Sequence, residues 1–246
     1  MDENVYYGIS GLTLPVPKKH FPPEHQDKSR LEYYATIFNS LEVNSSFYKL
    51  PQISTVAKWT ATVPEDFRFT FKLSKEITHT KQLAFDEKAV KAFMERISPA
   101  ATKKGCILVQ FPPSLKIASL NELQNLLSEI KFHDQQEWNI AVEFRDKSWY
   151  EREVAEILAE YKACMVLQDL PASATPPEFA SGEIIYLRFH GPAGGYRGSY
   201  ENDILESYAQ RIKEWHIQHK QVYCYFNNTM GNAVENLKTL MSFTGS

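Results

Sequence analysis

The chain has 246 residues, 43% of them hydrophobic, with 27 Lys and Arg against 30 Asp and Glu, for a formal charge of −3. That content suffices for a sizeable core, and the near balance of charge excludes a globally basic nucleic-acid binder. No apolar run approaches the roughly 20 residues of a membrane span, so no membrane partner is expected.

Met1, Asp2, Glu3 and Asn4 make an acidic start without the apolar stretch of a signal peptide, which points to the cytoplasm. Eight short β-branched and aromatic runs then recur, at 5–10, 40–44, 68–72, 106–110, 139–145, 164–169, 184–190 and 222–228, and each ends in polar residues. Between them lie stretches of helical spacing, at 27–38, 54–62, 86–97, 119–130, 151–161, 201–218 and 233–243. Asp86 is placed to cap the third of these. Leu120, Leu123, Leu126, Leu127 and Ile130 make an apolar stripe that must face a core. The connection at 171–182 is Pro-rich and too short for a full helix, so the sixth unit is degenerate.

Repeats of roughly 30 residues match one strand–helix unit, and eight of them predict a TIM-type (β/α)8 barrel. No linker divides the chain, so 1–246 is read as a single domain. An open doubly wound sheet is the alternative. Cys106, Cys164 and Cys224 each fall inside a predicted strand, without the close Cys or His spacing of a zinc site. They are read as small buried hydrophobes.

In a barrel of this type the active site lies at the carboxyl ends of the strands. Side chains two apart share a strand face. Glu42 with Asn44, Glu143 with Arg145, and Arg188 with His190 therefore point to the mouth. Leu41, Val43, Val142, Phe144, Leu187 and Phe189 point to the helices. Lys72, Gln110, Asp169, Asn227 and Asn228 end the remaining strands, and His79 sits in the loop after the third. Glu42 and Glu143, on strands across the barrel, are the acid/base candidates, with Asp169 as a third carboxylate and His190 as proton shuttle. Such a carboxylate pair also serves glycoside cleavage. A structural ion-pair network, for instance Glu143 with Arg145 or Arg188, is the competing reading.

The loop from His190 through Gly191, Gly194, Gly195, Arg197 and Gly198 to Tyr200 follows the seventh strand and precedes a helix. That is a common place for a barrel to hold phosphate, with Arg197 for bidentate contact. Its glycine spacing is not that of a dinucleotide fingerprint. Lys72, Arg145 and Arg188 add fixed positive charge, so a small anionic ligand is the expected partner. Phe47, Tyr48, Trp149, Tyr196 and Tyr200 can stack on a ring or roof the loops.

The leading expectation is a hydrolase or isomerase acting on a small carboxylated or phosphorylated substrate. Glu42, Glu143, Asp169 and His190 would serve chemistry. Asn44, Lys72, His79, Gln110, Arg145, Arg188, Arg197, Tyr200, Asn227 and Asn228 would bind. No cofactor is required. One alternative is a divalent-metal-dependent phosphoesterase or nuclease, with Glu42, Glu143, Asp169 and His190 as cation ligands. Another is a non-catalytic ligand- or RNA-binding barrel.

Several segments also carry a family resemblance. They are Tyr7-Gly8-Ile9-Ser10-Gly11, Leu41-Glu42-Val43-Asn44-Ser45-Ser46-Phe47-Tyr48, Phe67-Arg68-Phe69-Thr70-Phe71-Lys72 and Ile77-Thr78-His79. Others are Gln110-Phe111-Pro112-Pro113, Val142-Glu143-Phe144-Arg145 with Trp149, Leu187-Arg188-Phe189-His190-Gly191, Tyr200, and Tyr225-Phe226-Asn227-Asn228 with Ala233. In order and over nearly the whole chain, these resemble the domain of unknown function 72 family of YecE-like proteins. The resemblance implies a TIM-type barrel and no particular reaction. Leu12 stands where the family usually has Trp, a difference that bears on the first loop.

Overall fold

The computed structural model describes residues 4–14 and 16–245. Met1, Asp2 and Glu3, read above as an acidic start, lie outside the described residues, as do Pro15 and Ser246. The strands are β1 (Val5–Ser10), β2 (Ser40–Val43), β3 (Arg68–Lys72), β4 (Lys104–Gln110), β5 (Asn139–Glu143), β6 (Ala163–Met165), β7 (Leu167–Gln168), β8 (Ile184–Phe189) and β9 (Gln221–Phe226). The helices are α1 (Arg30–Tyr34), α2 (Ile53–Thr62), α3 (Lys75–Thr78), α4 (Glu87–Ile97), α5 (Leu120–His133), α6 (Arg152–Glu160), α7 (Asn202–Ile217) and α8 (Ala233–Thr244).

All pairings are parallel, in the order β6-β5-β4-β3-β2-β1-β9-β8-β7, and the strands form a nearly closed barrel with the helices around it. The sixth run supplies both ends of this order. Its first half, β6, pairs with β5, and its second half, β7, pairs with β8. The switch falls at Val166, whose N–H still reaches Val142 O at 2.9 Å. One predicted strand thus becomes two, because its halves must face neighbours on opposite sides of the closing seam. No α-helix follows β7; the connection holds only a single turn at Pro177–Phe179, as its prolines dictate.

Local chemistry sets the helix starts. Asp86 accepts the Lys88 N–H at 2.9 Å and caps α4. Ser29 and Glu32 exchange side-chain and backbone bonds in a capping box, which starts α1 three residues later than the spacing at 27–38 suggests. α3 went unseen in the sequence, since one turn is too short for a periodic signal. On α5, Leu123, Leu126, Leu127 and Ile130 are fully buried, each contributing roughly 1.5–3 kcal/mol of burial. Leu120 stays only partly covered.

Alternation splits the apolar side chains into two layers. Leu41, Val43, Val142, Phe144, Leu187, Phe189 and Cys224 join the large cluster between strands and helices. Cys106, Leu108, Ala141, Cys164, Val166, Tyr186, Tyr223 and Tyr225 fill the barrel interior. The three cysteines are buried and unpaired. Interior phenols need partners: Tyr225 Oη lies 2.6 Å from Ser40 Oγ and 2.9 Å from Thr70 Oγ1. Among the described residues no helix is long and apolar enough to cross a membrane.

Candidate active site

Register brings the polar strand ends to one level. Ser10 lies beside Glu42, Gln110 beside Glu143, and Gln168 beside Arg188. Side chains of that layer point inward above the tyrosines, where water is scarce and every charge needs a partner.

Arg188 organises the layer. Its Nε and Nη2 donate to Glu42 Oε2 and Oε1 at 3.0 and 2.7 Å, and its Nη1 donates to Glu143 Oε2 at 2.6 Å. It is 1% exposed, and both glutamates are fully buried. Glu42 also accepts the Ser10 and Tyr186 hydroxyls, each at 2.5 Å. Glu143 also accepts Arg145 Nε, and the His190 Nε2 lies 3.5 Å from its Oε2. Burial alone would raise the Glu143 carboxyl; Arg188, then Arg145 and His190, override it and hold it well below the ordinary carboxylate range.

These contacts revise three expectations. Glu42 and Glu143, read as acid and base across the barrel, meet at one guanidinium, and their oxygens are already occupied by donors. Both carboxylates anchor arginines in this layer. Arg188, read as an anion holder, has its charge spent on these two carboxylates and is sealed from solvent. Asp169, read as a third catalytic carboxylate, accepts the His190 N–H at 2.7 Å on one oxygen and the Tyr200 hydroxyl on the other. Burial pushes its carboxyl up against these bonds. Asp169 and Tyr200 thus pin the end of β8, and Tyr200 Oη also accepts the Gly191 N–H at 2.6 Å.

The glycine loop turns back on its own backbone. Its Gly194 and Tyr196 N–H groups bond Gly191 O and His190 O at 2.7 and 2.9 Å. Gly191 has φ +99°, and a Cβ there would sit 2.1 Å from Arg197 O, so the chain folds back on itself. Asn228 donates to Gly198 O and Asn236 Oδ1, tying this loop to the one after β9. The Arg197 side chain is exposed, with no bond to the mouth among the described residues. Arg197, Asn228 and Tyr200 therefore belong to the loop framework. Trp149, read as a possible ring platform, is fully buried and stacked 4.6 Å from Phe144.

The remaining candidates do gather. His190 is buried, with Nδ1 3.0 Å from Asn227 Nδ2 and Nε2 3.5 Å from Arg145 Nη2. Burial lowers its pKa, with help from Arg188 and Arg145 against the pull of Glu143, so the ring is neutral near pH 7. Lys72, on the interior face with Thr70, places its Nζ 4.1 Å from the Phe47 ring centroid. The same ring meets His79 edge-on at 4.9 Å, and His79 Nδ1 lies 2.9 Å from Thr78 Oγ1. Burial and Lys72 lower the His79 pKa. Burial, then Arg188, lowers the Lys72 amine to about 8. Gln110 is buried and donates to Phe111 O at 2.7 Å, and Asn44 keeps a buried Oδ1 without a partner among the described residues.

Ser10 and Tyr186 were missed in the sequence. Both were findable: Ser10 ends the first run, and Tyr186 shares a strand face with Arg188. Among the described residues no group of three or more His, Cys, Asp or Glu side chains is placed to hold a metal ion. Glu42 and Glu143 are bound to arginine, and Asp169 is bound to Tyr200, so the four proposed cation ligands do not form one set. A cavity of about 780 Å³ opens at the amino ends of the strands, where Tyr6 stacks on Tyr223 at 4.8 Å and Asn139 bonds Gln221. Asn44 Oδ1 and Asn228 Oδ1, both buried and without a partner among the described residues, lie at the other end with Lys72, and that end is the candidate site.

Fold and site together define a TIM-type barrel with a charged, prebuilt mouth. The family model "Protein of unknown function DUF72" matches residues 6–246, and the chain belongs to that family. It is 28% identical to the UPF0759 protein YunF of Bacillus subtilis, covering 90% of this chain and 88% of that one. It is 32% identical to UPF0759 protein YecE of Escherichia coli K12 over 120 residues, 49% of this chain and 43% of that protein. A DUF72 family structure from Enterococcus faecalis superposes with TM-score 0.79 at 22% identity, covering 98% of this chain and 96% of that one. One from Thermotoga maritima gives 0.76 at 24%, covering 98% and 99%. D-psicose 3-epimerase aligns more loosely, with TM-score 0.52 at 13% identity over 95% and 89% of the two chains, a likeness of fold alone.

Proposed function

We propose that this protein is an enzyme of hydrolase or isomerase type that takes a small carboxylated or phosphorylated substrate at the barrel mouth. One observation carries the reading. Glu42 and Glu143 are neutralised by Arg188 and Arg145, which leaves Lys72 half-buried with no carboxylate within 4.0 Å among the described residues. A cation held away from water without a counter-ion favours an anionic ligand. Arg145, 10% exposed, lines the same opening.

Proton transfer falls to groups at the opening whose pKa lies below its ordinary value. These are Lys72, at about 8, and His79, below its ordinary value. The carboxylates act through them, by fixing Arg188, Arg145 and His190. The test is a thermal-shift titration with carboxylates and sugar phosphates, run on the native protein and on Lys72→Gln. A rise in Tm with anions that the variant loses supports the reading. No rise with any anion, or an equal rise in the variant, removes it.

A further inference from the structure

We infer that Lys72 is an imine-forming amine, whose Nζ condenses with the carbonyl carbon of a small aldehyde or ketone held at the barrel mouth. The inference rests on the mouth being the substrate site, and it names the substrate class: an anionic carbonyl compound.

Position comes first. Lys72 ends β3 on the same face as Thr70, so its stem rises through the barrel interior and its amine emerges among the strand ends. Such a nucleophile is aimed by a rigid strand rather than carried on a loop. Its surroundings leave the nitrogen available. The other deep-set lysines donate to main-chain oxygens: Lys103 to Thr60 O and Val63 O at 2.9 and 2.7 Å, and Lys131 to Trp138 O at 3.1 Å. Lys72 has no such acceptor among the described residues and rests over the face of Phe47. That ring attracts the ammonium but offers no oxygen to hold the proton.

The electrostatics agree with the geometry. A lysine becomes a nucleophile when burial and neighbouring cations disfavour its protonated form. Here burial acts first and Arg188 second, and the amine titrates at about 8. About a tenth of it is then neutral at pH 7, against well under a thousandth for an ordinary lysine.

The condensation balances without any redox partner. The ammonium gives a proton to water, and Nζ attacks the carbonyl carbon as the C=O pair moves to oxygen. After proton transfers that oxygen departs as water, leaving C=N⁺. Lysine ammonium plus carbonyl thus becomes iminium plus water, and the positive charge stays in place. The iminium draws electrons from the adjacent carbon, whose C–H becomes acidic, which is the step an isomerase needs. The iminium charge stays beside the substrate's anionic group, and Arg145, 10% exposed, lines the same opening.

The experiment is borohydride trapping at low carbonyl concentration, using glyoxylate as an anionic probe and glycolaldehyde as a neutral one, read by intact mass and peptide mapping. Hydride from borohydride fixes any imine as a secondary amine. The expected result is a single adduct at Lys72, favoured about tenfold or more over the average lysine, with a pH midpoint near 8 rather than near 10.4. Lys72→Arg keeps the charge, so it should retain anion binding and lose the adduct; its folding is checked by its melting curve. Adducts spread over surface lysines, or an unmodified Lys72 in folded protein, overturn the inference. Anion-dependent stabilisation without an adduct sinks the imine and spares the anion site. Trapping of glycolaldehyde at Lys72 with no anion effect does the reverse.

Discussion

Replacing Arg188 by Met tests the central contact of the mouth. Three N–H···O bonds of 2.6–3.0 Å end at two fully buried carboxylates, and none of these groups can turn to water. Met fills much of the volume but supplies no charge. Glu143 keeps Arg145, whereas Glu42 keeps only the Ser10 and Tyr186 hydroxyls. Breaking a buried pair by removing one partner costs about 3–5 kcal/mol, because a buried charge is stranded. That is a large share of the roughly 5–15 kcal/mol by which a domain is stable. Urea denaturation at pH 7 should show this loss as a lower midpoint with an unchanged slope.

The pH dependence gives a sharper signature. In the native protein the Glu143 carboxyl is held well below its ordinary 4.5, with Arg188 the leading charge that overrides burial. Its stabilising contribution is therefore present above pH 4.5 and is lost as pH falls through the lower folded value. In Arg188→Met that leading charge is gone, burial weighs more heavily on the Glu143 carboxyl, and its protonation relieves the variant as pH falls. The gap between the two proteins should narrow from pH 7 toward pH 4.5. A gap below about 1 kcal/mol at pH 7, within the range of a surface pair, would refute the buried-network argument. So would a gap that ignores pH.

Lys72→Met should raise stability at pH 7 while abolishing anion binding. The folded amine titrates at about 8 against 10.5 for the free group, so native stability rises relative to the variant as pH climbs between these values. Melting curves at pH 7 and pH 10 check the sign. Tyr200→Phe removes the donor to Asp169 and the acceptor of the Gly191 N–H, at a cost of about 1–3 kcal/mol by denaturation. Gly191→Ala places a Cβ against Arg197 O at a positive φ, so beyond the roughly 1–2 kcal/mol of left-handed backbone it should release the 192–199 loop to limited proteolysis. Equal nicking of native and variant protein would speak against the folded-back loop.

Alternation along short strands is local, so the sequence alone placed Glu42, Glu143 and Arg188 on one face and Leu41, Val43, Val142 and Phe144 on the other. The roughly 30-residue repeat and the proline-rich gap after the sixth run likewise foretold a barrel with one missing helix. Both follow from backbone periodicity and from proline's lack of a donor, which act within a few residues. Partnership at the mouth was decided elsewhere. Arg188 is separated by 146 residues from Glu42 and by 45 from Glu143, and three different strands bring them together. Which carboxylate meets which guanidinium depends on strand register and on the seam at Val166, where one run divides between two neighbours. Sequence therefore determined which side chains face the interior, because strand period is a short-range property. Only the closed barrel decided that two glutamates would be spent on one arginine and Lys72 left without a carboxylate, because pairing across strands is a long-range one.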